Sequence, residues 1–121
     1  MNLSFKKPII LTRANEDNEQ FVQAFLALDP NLNVNESFRF IPLLEVIFEK
    51  DFEKDFEKDF DFLIFTSRYG IQGTAGIEAI KDKSIFCVGK VTAETAMQHG
   101  FQNVYHPKVG NSFNLVKLIS S

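Results

Sequence analysis

Apolar residues fall in short unbroken runs, and between the runs they recur every three or four positions, which is the pattern of strands alternating with helices. Pro8 to Thr12 is a run that suits a strand buried on both faces, as in a parallel sheet. A helix is expected to follow, with Asn15 as its N-cap, Glu16, Asp17 and Glu19 at the positive end of its dipole, and Phe21, Val22, Phe25, Leu26 and Leu28 as its apolar face. Pro30 closes it. Phe38 to Leu43 reads as a weaker extended segment, with Pro42 placing its end at the sheet margin. Phe62 to Thr66 has the strongest strand pattern in the chain, and Tyr69 to Ile80 reads as a helix loosened by Gly70, Gly73 and Gly76. Ser84 to Val88 is a further strand, after which Gly89 permits a tight turn into a helix from Thr92 to His99, closed by Gly100. A short strand, Asn103 to Tyr105, and a last helix, Ser112 to Ile119, complete the alternation.

This order predicts an α/β fold: a parallel sheet flanked by helices, flavodoxin-like and built from alternating β-α units. In such sheets ligands bind beyond the carboxyl ends of the strands, where helix N-termini direct free N–H groups outward. That edge carries Thr12-Arg13, Thr66-Ser67-Arg68 and Gly89-Lys90-Val91-Thr92, so two of the three arginines, Arg13 and Arg68 but not Arg39, fall on it. Basic and hydroxyl groups gathered at helix N-termini describe an anion site for carboxylates or phosphates. The plainer alternative is that Thr66, Ser67 and Thr92 cap helices and Arg68 is a solvated surface residue.

The unit Phe48-Glu49-Lys50-Asp51 repeats in tandem up to Phe60. A period of four is close to the helical 3.6, so Phe48, Phe52, Phe56 and Phe60 are expected to form one drifting stripe of an amphipathic helix.

Composition narrows the function classes. With 121 residues, 45% of them hydrophobic and 24% charged, the chain is one ordinary globular domain or a piece of a larger protein. No apolar run reaches the roughly 18 residues that cross a bilayer, so the expectation is a soluble protein without a membrane partner. Lys and Arg number 13 against 16 Asp and Glu, which argues against a nucleic-acid surface and for a small-molecule or protein partner. Cys87 has no second cysteine to pair with and lies in an apolar run, as a buried structural thiol does. The apolar stretch after Lys6 and Lys7 is too short for a secretion signal, which leaves the cytoplasm as the expected compartment.

Several chemistries are excluded. Neither G-x-x-x-x-G-K-[ST] nor G-x-G-x-x-G occurs, and His99 and His106 have no cysteine or spaced carboxylate near them, so no metal is expected. Phosphoacceptor acids are missing after the first strand, where Thr12-Arg13 stands. A flavin phosphate loop is not expected either, since Glu16 and Asp17 would repel a phosphate there.

The edge motifs line up with a known family. Ile10-Leu11-Thr12-Arg13, Phe40-Ile41-Pro42, Leu63 to Ile71, Val88-Gly89-Lys90-Val91-Thr92-Ala93-Glu94-Thr95-Ala96 and Gly100-Phe101 resemble uroporphyrinogen-III synthase in type and order, and Asn111 to Ile119 resembles that family's helix after a polar loop. The resemblance implies a cofactor-independent enzyme of tetrapyrrole and haem biosynthesis that closes hydroxymethylbilane to uroporphyrinogen III while inverting the last pyrrole ring. It also implies two similar α/β domains with the substrate between them, of which this chain matches the N-terminal half. On that plan residues 1–34 belong to the first domain and 35–121 begin the second, the alternative being one compact doubly wound domain. A second Gly-x-x-Thr-Ala turn and a tyrosine important in the family have no counterpart, and Ala14 stands where the family often has proline. The matching positions for substrate contact are Thr66, Ser67, Gly89 and Thr92, to which charge and position add Arg13 and Arg68. The competing expectations are a non-catalytic half that associates with itself or with a separate C-terminal half, and an unrelated flavodoxin-like binder of anionic ligands.

Overall fold

The computed structural model describes residues 2–121, which form two compact units, residues 2–47 and Phe48–Ser121. Among the described residues, five strands divide between two parallel sheets, two strands in one and three in the other, flanked by helices. This is the α/β class read from the sequence.

In the first unit, β1 (Ile9–Leu11) pairs in parallel with β2 (Phe38–Phe40), Ile9 opposite Phe38 and Leu11 opposite Phe40. The connection contains α1 (Asn15–Leu28) and a short α2 (Val34–Ser37), the latter unanticipated and capped by the Asn33 side chain, which accepts from the Glu36 N–H at 3.3 Å. Val22, Leu32 and Phe38 form the buried centre, with Phe5, Ile9, Leu11 and Phe25 packed around it. Phe25 meets Phe38 at 5.2 Å and Phe5 edge-on at 5.9 Å between ring centroids, which favours the ring quadrupoles as well as burying their area. The expected strand to Leu43 ends at Phe40, yet Ile41 and Leu43 still donate to the Leu11 and Thr12 carbonyls at 2.9 and 3.0 Å. These alternate N–H groups face β1, so Pro42 sits where no donor toward β1 is needed.

Asn15 is not the N-cap. That place is taken by Ala14, which offers no side-chain acceptor, and Asn15 lies inside the first turn. The polar side chain that serves this turn is Asn18, buried and reaching back to the end of β1.

In the second unit, β3 (Phe62–Phe65), β4 (Ser84–Cys87) and β5 (Asn103–Tyr105) lie parallel in that order, with Phe65 opposite Cys87 and Ile85 opposite Val104. Side chains alternate across a strand. Phe65, Ile85 and Cys87 therefore join Ile71, Ile80, Ala93, Ala96 and Phe101 in the buried cluster, packed by α3 (Arg68–Thr74) and α4 (Lys90–Gln98). The other set, Phe62, Phe86 and Tyr105, makes an aromatic ladder with centroid distances of 5.1 and 5.4 Å. Tyr105 remains 48% exposed and Ile64 51%, so this sheet is not covered on both faces among the described residues. A final helix, α5 (Ser112–Ser120), packs against β4 through buried Leu115.

The helix expected over Tyr69 to Ile80 is shorter. It ends at Thr74, and a separate 3-10 turn spans Glu78–Ile80, because the glycines lower helix propensity and Thr74 turns its hydroxyl back onto the Gly70 carbonyl at 2.9 Å. Gly100, at φ +89°, closes α4 in the left-handed region as expected. Lys81, nearly buried, donates its ammonium to the His99 carbonyl at that helix end and lies 4.5 Å over the Phe101 ring.

The tandem repeat is not an α-helix. Only Glu53–Glu57 turns, as a 3-10 helix, and Asp51 takes a positive φ of 59°. A period of four drifts about 40° per copy from a straight stripe, and half of every unit is Phe or Asp, both modest helix formers. The phenylalanines are instead used individually: Phe56 and Phe60 pack on the core of the second unit, Phe60 beneath Lys83, while Phe48 lies over Gly73.

Candidate functional site

Because β3, β4 and β5 run parallel, the starts of the three helices that follow them open on one edge of the second unit. At the end of β3, Thr66 is exposed and Ser67 is the N-cap of α3, its hydroxyl accepting from the Tyr69 N–H at 3.1 Å. Arg68 lies with its guanidinium carbon 5.1 Å from the Tyr69 ring centroid and donates to the Tyr69 hydroxyl at 3.3 Å. The β3–β4 pairing extends one step into this edge, through a Val88 N–H donated to the Phe65 carbonyl at 3.0 Å.

Beyond β4, Gly89 is the N-cap of α4 and has no side chain to cover the first-turn N–H groups. The helix starts at Lys90 instead of Thr92, which puts Thr92 in its first turn. Thr92 is 8% exposed, and its hydroxyl has no hydrogen-bond partner among the described residues. The other helical threonines behave differently: Thr74 and Thr95 donate to the carbonyls of Gly70 and Val91 at 2.9 and 3.0 Å. Uncapped N–H groups with an unengaged hydroxyl beside them make an acceptor-binding turn. Lys90 stands at the rim, 3.8 Å from Glu94.

Two residues that the sequence reading left out belong to this edge. Gly110 lies against Gly89, and Asn111 caps α5 by accepting from the Asn114 N–H at 2.8 Å. The signal for Asn111 was present, an Asx residue just before the apolar periodicity of Phe113, Leu115, Val116 and Leu118. Gly110 had no signal, since its requirement comes from a chain segment some twenty residues away.

Thr66, Ser67, Arg68, Gly89 and Thr92 are thus gathered on one edge of the second unit. Arg13 lies in the first unit, at the end of β1, with its guanidinium 3.9 Å from the Asp17 carboxylate. No group of His, Cys, Asp and Glu suited to a metal occurs among the described residues. Cys87 is fully buried, and burial pushes its thiol up to about 11, well away from a nucleophile's range. No helix is long and apolar enough to cross a membrane among the described residues.

Comparison with protein families matches residues 38–121 to the model of uroporphyrinogen-III synthase HemD. The chain belongs to this family. The matched stretch runs from β2 through α5 and contains Thr66, Ser67, Arg68, Gly89 and Thr92, whereas Arg13 precedes it. Comparisons with curated proteins and with solved structures returned no match. The matched stretch also includes the uncapped first turn of α4, Gly89–Thr92.

Proposed function

We propose that this chain binds hydroxymethylbilane at the carboxyl edge of the β3–β4–β5 sheet and takes part in its closure to uroporphyrinogen III, with inversion of the last ring. The observation that carries the reading is the first turn of α4, where uncapped N–H groups adjoin a Thr92 hydroxyl that has no partner among the described residues. A linear tetrapyrrole presents many acetate and propionate groups, and a carboxylate is the ligand such a turn takes best.

Each residue then has a part. The N–H groups after Gly89 and the Thr92 hydroxyl hold one carboxylate, Thr66 and Ser67 offer hydroxyls to a second, and Arg68 supplies positive charge. The substrate loses its hydroxyl as water to give an azafulvene, which closes through a spiro intermediate and rearranges. This side-chain set contains no obvious proton donor, and the protein's contribution is to hold the two chain ends of the substrate within reach in one orientation. The reading requires no cofactor.

The test generates hydroxymethylbilane in place, adds the chain, and separates the type I and type III isomers after oxidation. Spontaneous closure gives type I. An excess of type III that falls in Thr92→Val supports the reading; type I alone, with porphyrin-carboxylate binding retained, makes the chain a non-catalytic binder of the same ligand class. Absence of both activity and binding overturns it.

A further inference from the structure

We infer that the groove between the β5–α5 loop and one face of α5 takes a further pyrrole ring of the tetrapyrrole, with Lys108 and Lys117 holding its carboxylate arms. The inference rests on the reading of the α4 turn as a carboxylate site and adds a subsite that neither the motifs nor the family match assigns.

The groove lies wholly within the second unit. Pro107, Lys108 and Val109 of the loop and Asn114, Lys117 and Leu118 of α5 line a cavity of about 450 Å³. That volume falls within the roughly 300–1,000 Å³ of small-molecule sites. The three helical residues stand three and four positions apart and so share one face of α5, while the neighbouring Leu115 is buried where the helix packs on β4. Hydrogen bonds fix the two walls to each other. Asn114 donates its Nδ2 to the Val109 carbonyl at 3.0 Å, and its backbone N–H donates to the Asn111 side chain at 2.8 Å. One residue beyond Val109, Gly110 lies against Gly89. The loop that walls the groove is therefore the loop that touches the α4 turn, and a ligand as long as a linear tetrapyrrole spans both.

Charge decides what the groove takes. The chain carries 16 Asp and Glu, yet none falls between Thr95 and Ser121. Neither Lys108 nor Lys117 has an acidic partner among the described residues. The Lys117 ammonium lies 4.7 Å from the Phe113 ring centroid, on a ring that is 68% exposed. Between the lysines the lining is apolar, with Pro107 buried, Leu118 half-buried and Val109 exposed. A bare inorganic anion would leave that apolar lining wet, and a wholly apolar ligand would strip water from two ammonium groups without pairing them. A pyrrole ring with acetate and propionate arms satisfies both parts, its ring on the apolar lining and its arms on the lysines.

The experiment uses the full chain with uroporphyrin I, a stable porphyrin octacarboxylate, and coproporphyrin I, a tetracarboxylate with the same macrocycle. Kd is read from porphyrin fluorescence and Tm is measured on the same samples. Lys108→Gln/Lys117→Gln removes both charges and keeps most of each stem, so it should weaken uroporphyrin I binding by about fivefold at low salt with Tm unchanged. The loss should shrink as salt is added, and coproporphyrin I should lose less. Lys54→Gln/Lys58→Gln makes the same change in net charge elsewhere in the unit and should bind as wild type does. A groove variant that binds normally, or a control that loses as much, overturns the inference. Thr92→Val keeps the two readings apart: if it weakens binding while the groove variant does not, the α4 turn stands and the groove falls. If only the groove variant weakens binding, the groove stands as a carboxylate site and the reading of the α4 turn falls. A wild-type chain that binds neither porphyrin overturns both.

Discussion

Gly89 and Gly110 pack backbone to backbone. A β-carbon on Gly110 would lie 3.0 Å from the Gly89 Cα and 3.3 Å from the Val88 carbonyl oxygen, and one on Gly89 would lie 3.3 Å from the Gly110 Cα. Neither obstacle is a flexible side-chain end, so the backbone itself would have to move. The contact draws the loop before α5 against the turn that opens α4, which puts the Asn111-capped start of one helix beside the uncapped start of the other.

Gly110→Ala is therefore expected to destabilise the protein by about 1–3 kcal/mol, the usual cost of an overpacked methyl group, and to weaken porphyrin binding as the α4 turn is displaced. Gly76→Ala is the control. Nothing lies within 4 Å of a β-carbon there and its φ is not positive, so it should be neutral or stabilising by up to about 1 kcal/mol. Urea unfolding of the two variants, read beside wild type, checks the contrast; equal midpoints would mean that the approach is not tight.

What the sequence made legible followed from local pattern. The strand expected over Phe62 to Thr66 forms as Phe62–Phe65, the triplet Asn103 to Tyr105 forms as expected, and the last helix starts at the expected Ser112. Thr66-Ser67 and Gly89 were legible as edge positions because a parallel sheet places every strand's carboxyl end on one edge. The misses share a different cause, namely tertiary contact. Asn15 has a better N-cap side chain than Ala14, yet Asn18 reaches three backbone groups at and just beyond the end of β1, the Leu11 carbonyl and the N–H and carbonyl of Arg13. The repeat has helical periodicity, yet Phe56 and Phe60 gain more by packing on the second unit's core than a polar-faced helix would gain from its own hydrogen bonds.

The turn at Asp51 can be checked by the sign of one substitution. At φ 59° a β-carbon is strained, so Asp51→Gly should be neutral or stabilise by about 1 kcal/mol, and Asp51→Val should cost about 1–2 kcal/mol. In a helix the glycine would instead cost about 1 kcal/mol. Thermal unfolding of Asp51→Gly separates the two conformations, and a lowered Tm would restore the helix.

Each unit has its own buried cluster, and the two share no residue. Ile85→Ala removes a fully buried side chain from the centre of the three-stranded sheet and is expected to cost about 2–5 kcal/mol; Phe38→Ala, in the other cluster, about 3–5 kcal/mol. With no common neighbour to relax, the double variant should equal the sum within about 0.5 kcal/mol. A larger coupling energy in chemical denaturation would show that the cores are not independent.

Cys87 lies under the same sheet with no exposed surface, and burial raises its thiol from 9.0 to about 11. The folded state thus favours the neutral thiol more than the unfolded chain does. The associated stability is fully present below pH 9.0, the unfolded value, and is lost as pH climbs toward about 11, where the unfolded chain releases a proton that the folded one keeps. A thiol reagent at pH 8 should leave the native protein unlabelled and modify it at once in denaturant. Cys87→Ala, although less stable near neutrality because of the small void it leaves, should lose less of its stability between pH 9 and 11 than wild type does. Rapid labelling of the native chain, or parallel pH profiles for the two proteins, would contradict a thiol sealed beneath β4.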